Sequence, residues 1–130
     1  MKLSDAAVNA RAALLGSMLD GGYLRLYSGR QPIGPEMPVG GQIKLAELRF
    51  GDPAFKAAVS GMITANPIAP DKKAAATGKA TWFRCFASDG TTAILDGSVG
   101  TAGCEMNLNS VAIQENAEVS LASFVHDEND

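Results

Sequence analysis

The sequence predicts a mainly β protein: a single-domain β-sandwich or jelly roll of about seven or eight antiparallel strands with one N-terminal α-helix. Three observations carry this reading. A helical apolar period occurs once, close to the N-terminus. After it, short runs with alternating apolar residues recur between turn signals as far as residue 126. The third is the segment Lys79 to Val99, where two β-prone runs flank Asp89-Gly90, the dipeptide favoured in a tight hairpin turn.

The helix is expected over residues 4–20. Ser4 can cap it, Asp5 suits its positive N-terminal end, and Gly21-Gly22 ends it. Val8, Ala12, Leu15 and Leu19 form its apolar stripe, which packs on the body of the domain or, alternatively, docks on a partner. Residues 23–126 then make up the β region. In Tyr23 to Tyr27 the leucines share one face, while the tyrosines and Arg25 share the other. In Ile43 to Phe50 the early apolar residues are out of phase with the late ones, which calls for a bulge near Ala46-Glu47. Further strands are expected in Ala57 to Ala65, Cys104 to Asn109, Val111 to Gln114 and Glu118 to Val125.

Counting outward from a two-residue turn at Asp89-Gly90 sets Phe86 against Ala93, Arg84 against Leu95 and Trp82 against Gly97 on one surface of the hairpin. Cys85 against Ile94 and Phe83 against Asp96 fall on the other. Both surfaces are partly apolar, so both need cover.

Two segments read as loops. Residues 28–41 are rich in proline and glycine, and Pro32, Pro35 and Pro38 recur every third residue, the period of a polyproline II helix. Such a loop is either a plain mobile connection or an arm lying along a neighbouring subunit. Residues 67–78 read as a connector.

Composition excludes several classes of function. The net charge is −3, with residues 1–66 carrying seven Lys/Arg against five Asp/Glu and residues 67–130 four against nine. No basic patch for nucleic acid emerges from this balance. Asp5, Asn9 and Arg11 interrupt what would have to be the apolar core of a leader, and no run approaches the roughly 20 apolar residues of a membrane span. A soluble protein with no membrane partner is expected. Cys85 and Cys104 lack the close spacing of a metal or redox motif and read as reduced, buried thiols, with a disulfide open only to neighbouring strands.

No catalytic set can be assembled, and the chain reads as a non-enzyme without cofactor or metal. His126 is the only histidine and falls against the acidic tail of residues 127–130, where it reads as solvated. Asp89 and Asp96 form a local carboxylate pair, but the turn claims Asp89. Tyr23, Tyr27 and Trp82 would be the aromatic platform of a carbohydrate-binding module, a function class kept as an alternative, although packing accounts for them more simply.

Several phrases of the chain carry a resemblance. They are Met1 to Ala10 (MKLSDAAVNA), Leu24-Arg25-Leu26-Tyr27-Ser28-Gly29 followed by Gln31-Pro32, Leu45-Ala46-Glu47-Leu48, Asp52-Pro53-Ala54-Phe55, Gly78 to Arg84 (GKATWFR), Asp96-Gly97-Ser98-Val99-Gly100 and Met106-Asn107-Leu108-Asn109-Ser110. Over nearly its whole length the chain resembles a family of small structural proteins of tailed bacteriophages and prophages. Within that class it is most similar to capsid cementing, or decoration, proteins. The resemblance implies a virion protein on the capsid surface, made in the host cytoplasm, that binds across major capsid protein subunits and forms a homo-oligomer. A tail, neck or fibre component is the alternative within the class. The resemblance supplies no residue-level binding motif. The contact residues expected are those of the arm: Arg30, Pro32, Ile33, Pro35, Met37 and Pro38.

Overall fold

The structure is a computed structural model that describes residues 1–108 and 110–128. It is mainly β, with one helix at the N-terminus. Helix α1 spans Asp5–Met18; Ser4 caps it, its side chain accepting from the Ala7 amide at 3.1 Å. The strands are β1 Tyr23–Tyr27, β2 Lys44–Arg49, β3 Met62–Thr64, β4 Gly78–Lys79, β5 Trp82–Phe86, β6 Ala93–Gly100, β7 Met106–Asn107, β8 Ala112–Ile113 and β9 Val125–Asp127. Five of them form one sheet in the order β2-β1-β5-β6-β7, while β3 pairs with β9 and β4 with β8.

Strand pairing is antiparallel except between β6 and β7, which run parallel. The expected strand at Cys104 to Asn109 shrinks to Met106–Asn107, and Asn109 itself lies outside the described residues. Glu118 to Val125 is no continuous strand. Val119 makes one bridge to Asp71, and regular pairing resumes only at Val125, within β9.

The core face of the sheet carries Leu24, Leu26, Leu48, Phe83 and Cys85, all at most 2% exposed. Phe83 meets Phe124 edge-on, with ring centroids 5.5 Å apart, and Phe124 also lies against Phe50 and Phe55. Ala12 and Leu19 of the helix segment, Ile63 of β3 and Ile113 of β8 join the same cluster. The helix docks on its own domain. A Cβ on Gly16 would lie 3.2 Å from Ile63 Cδ1, so the missing side chain is what allows the close approach. The Asn9 side chain accepts from the Gly61 amide at 2.7 Å, and Arg11 pairs with Glu128 at 2.6 Å.

The bulge expected in β2 is present, one residue early. Leu26 pairs with Ala46 and Tyr27 with Lys44, leaving Leu45 as the extra residue. It returns Leu45, Ala46 and Leu48 to buried positions.

The hairpin differs from expectation in two respects. Its turn has four residues between the last bonded pair, because the Ala87 amide donates to Thr92 O at 2.9 Å and the Gly90 amide to Ala87 O at 2.9 Å. Only Gly90 takes a left-handed conformation, at φ +73°. Asp89 accepts from both the Thr91 and Thr92 amides, at 2.9 and 2.8 Å, which keeps it in the structural role expected of it. These bonds, with one from the Thr92 hydroxyl, favour the carboxylate and hold the pKa of Asp89 at about 2.

The second difference is a bulge at Ile94. Phe86 still faces Ala93, but Cys85 faces Leu95, Arg84 faces Asp96, Phe83 faces Gly97 and Trp82 faces Ser98. Phe83, not Trp82, therefore covers the bare glycine, and a Cβ on Gly97 would run into the Phe83 ring. The same slip sets Arg84 directly against Asp96.

His126 is no solvated tail residue. It lies in β9 opposite Ile63, half-buried, with Nε2 2.8 Å from Glu128 Oε2. Asp127 belongs to β9 as well, while Asn129 and Asp130 lie outside the described residues. Cys85 is buried and Cys104 half-buried, and neither is in a disulfide. Burial pushes the Cys85 thiol well above its ordinary pKa, away from reactivity.

Candidate functional site

The outer face of the sheet turns side chains of β1, β5 and β6 away from the core. Tyr27 and Trp82 stack with centroids 4.4 Å apart, and the Arg84 guanidinium lies 5.2 Å from the Trp82 ring. Arg25 lies 4.2 Å over Phe86, and Arg49 4.7 Å over Tyr23. Ring, cation and ring thus follow one another along β1 (Tyr23, Arg25, Tyr27) and along β5 (Trp82, Arg84, Phe86), with Arg49 of β2 beside them, a favourable arrangement for arginine on aromatic faces.

The centre of this face is an ion pair closed to water. Arg84 Nε donates to Asp96 Oδ1 at 2.7 Å and Nη2 to Oδ2 at 3.0 Å, with both side chains at most 4% exposed. Such a bidentate pair fixes position strongly, and removing one partner strands the other charge. Trp82 is fully buried and Tyr27 only 4% exposed, so neither ring is an open platform for a sugar. Burial raises the pKa of Tyr27, against the pull of neighbouring Arg25.

Residues 28–43 cover this face. Ser28 and Gly29 anchor the start of the arm: Ser28 O accepts from Trp82 Nε1 at 3.3 Å and Gly29 O from the Thr81 hydroxyl at 2.6 Å. At the far end the Ser28 amide donates to Ile43 O at 3.0 Å. Within the arm, the Gln42 side chain donates to Arg30 O at 2.6 Å and accepts from the Gly40 amide at 2.8 Å.

The extended polyproline form is not adopted. The Met37 amide donates to Gly34 O at 3.0 Å, so the chain turns back between Pro35 and Glu36, and the prolines do not line one edge. Pro35 occupies the second position of that turn, where its fixed φ favours turning over continued extension. At its crown, Gly34 O also accepts from Arg84 Nη2 at 3.2 Å, tying the arm to the buried ion pair.

The expected contact residues separate into two groups. Pro35 and Pro38, with Glu36 and Val39, roof a cleft of about 760 Å³ floored by Arg25, Tyr27, Arg84 and Phe86. Arg30, Pro32, Ile33 and Met37, again with Pro38, line a hollow of about 570 Å³ in the arm itself. Ile33 is 99% exposed and Met37 50%. Val39 and Ile43, which the proline period passed over, are exposed too. A second surface is the outer side of α1, where Leu14 and Met18 are exposed at a helical spacing opposite the packed stripe.

Among the described residues there is no group of three metal-ligating side chains, and no helix is long and apolar enough to cross a membrane. The arrangement can grip a macromolecule through exposed apolar side chains on an anchored loop. No protein-family model, curated protein or solved structure matches the chain.

Proposed function

We propose that this protein is a capsid cementing subunit of a tailed bacteriophage, binding as a homo-oligomer across neighbouring major capsid protein subunits on the outside of the virion. The observation that carries the proposal is the arm. Its base and crown are tied to the sheet, yet Ile33, Met37, Val39 and Ile43 stand in water. Fixing these side chains without burying them lowers the ordering cost of binding and leaves their apolar surface to be covered by a partner. In this reading the large sheet and the two small sheets sharing its core are the layers of a jelly-roll-like sandwich, and no active site is needed. A protein that binds only the assembled lattice stabilises that lattice by mass action, by about 2.7 kcal/mol per site at a hundred times the dissociation constant.

The test is to mix purified protein with expanded shells and, separately, with free capsid subunits, and to follow co-sedimentation and shell melting. Saturable binding to shells alone, with a raised shell melting temperature, is expected. Failure to bind shells together with fractionation alongside tails would transfer the protein to the tail, neck or fibre reading.

A further inference from the structure

The two edges of the five-stranded sheet are finished differently. The outer edge of β2 is closed. The Arg49 and Ala69 backbones exchange bonds of 3.1 and 2.8 Å, Glu47 N donates to Asp71 Oδ2 at 2.8 Å, and Ala75 N donates to Leu45 O at 2.9 Å. Strand β6 is open over part of its length. Strand β7 covers it only at Val99 and Gly100, and Glu105 engages Ser98.

Thr92 O and Val99 N bond toward β5, accepting from Ala87 N and donating to Thr81 O. Strand alternation, with the bulge at Ile94, therefore points the peptide groups of Ala93 and Asp96 outward. The Asp96 side chain is only 4% exposed while the residue as a whole is half-buried, so water reaches its main chain.

We propose that this open edge pairs antiparallel with the β6 edge of a second copy of the chain, about a two-fold axis that places Asp96 of each copy opposite Ala93 of the other. Antiparallel pairing of one strand with its own copy is self-complementary under that symmetry. Arg84 already neutralises Asp96, so the pairing brings no bare like charges together. Ala93 to Val99 contains no lysine or proline, residues that natural edges use to repel strands. Because β2 is closed, addition at β6 ends at two copies instead of growing a filament. The bulge confines the contact to a short stretch. The proposal shares with the function above only the homo-oligomer, and failure to bind shells leaves it standing.

Sedimentation velocity on the full chain tests it, with amide exchange at Asp96 followed over a concentration series. A dimer is expected, with the Asp96 amide slowed on the order of tenfold or more as it forms. Ala93→Pro removes an outward amide and obstructs an added strand at a position where an edge tolerates proline, so this variant is expected to be a folded monomer. Should that variant misfold, the exchange series on the unaltered protein decides alone. The pairing would be overturned by a monomer up to about 1 mM, by a dimer whose Asp96 amide exchanges as fast as in the monomer, or by a folded Ala93→Pro dimer. Protection of Asp96 only on shells would likewise overturn it and give the edge to a strand of another protein.

Discussion

Two proline-containing loops of this chain, residues 28–43 and 67–78, meet the sheet in opposite ways. The second gives its peptide groups to the edge of β2, and Asp71 ties it further to its own turn by accepting from the Lys73 amide at 2.9 Å. It also buries Ala74 to 1% exposure. The first is fastened at its ends and crown but leaves Ile33 at 99% exposure. A loop that spends its polar groups on the sheet and hides its apolar ones is part of the fold. One that is held in place with apolar side chains in water is a surface for something else.

Damage beneath the arm and in residues 67–78 along the β2 edge should cost stability, whereas damage at the arm's tip should cost only binding. Asp96→Ala should have the largest effect, because it leaves Arg84 buried without its partner. A loss of about 3–5 kcal/mol is expected in urea unfolding, and a loss below 1 kcal/mol would mean that the pair is no anchor. Asp71→Ala comes next. It leaves the Glu47 and Lys73 amides without their acceptor and should cost about 1–3 kcal/mol, with faster amide exchange along β2.

Acid should weaken the body of the protein without acting through either loop. Hydrogen bonding to His126 and Arg11 lowers the pKa of Glu128 from its ordinary 4.5. A lowered folded pKa means that this contribution is fully present above pH 4.5 and is lost as pH falls below it through the folded value. Asp89, held at about 2, behaves alike from its ordinary 3.8 downward. Glu128→Gln should therefore flatten the upper part of the acid-unfolding curve, and an unchanged slope would remove Glu128 from the account. Ile33→Ser should change stability least, by no more than about 0.5 kcal/mol in thermal unfolding.

Where function rests on local pattern, the sequence was informative. The leucine and tyrosine faces of β1, the Ser4 cap, the packed stripe of α1 and the structural role of Asp89 all follow from residue type and period, whereas the length of the turn around Asp89 does not. The hairpin register did not, because a single extra residue at Ile94 shifts every pair beyond it, and no local propensity marks that bulge. The buried Arg84–Asp96 pair was hidden by the same shift. Residues 67–78 read as a mere connector in sequence because their work is done by hydrogen bonds to a strand far off in sequence. The arm's composition marks its place, but the period of three prolines suggests extension where Pro35 instead starts a turn.

The most direct test of the central claim is shell binding by the double variant Ile33→Ser, Met37→Ser. Two apolar side chains that become buried only on the shell are worth about 1.5–3 kcal/mol each, so binding should weaken on the order of 100-fold or more while the melting temperature of the free protein stays unchanged. Unaltered shell affinity in a variant that melts like the parent would contradict the account.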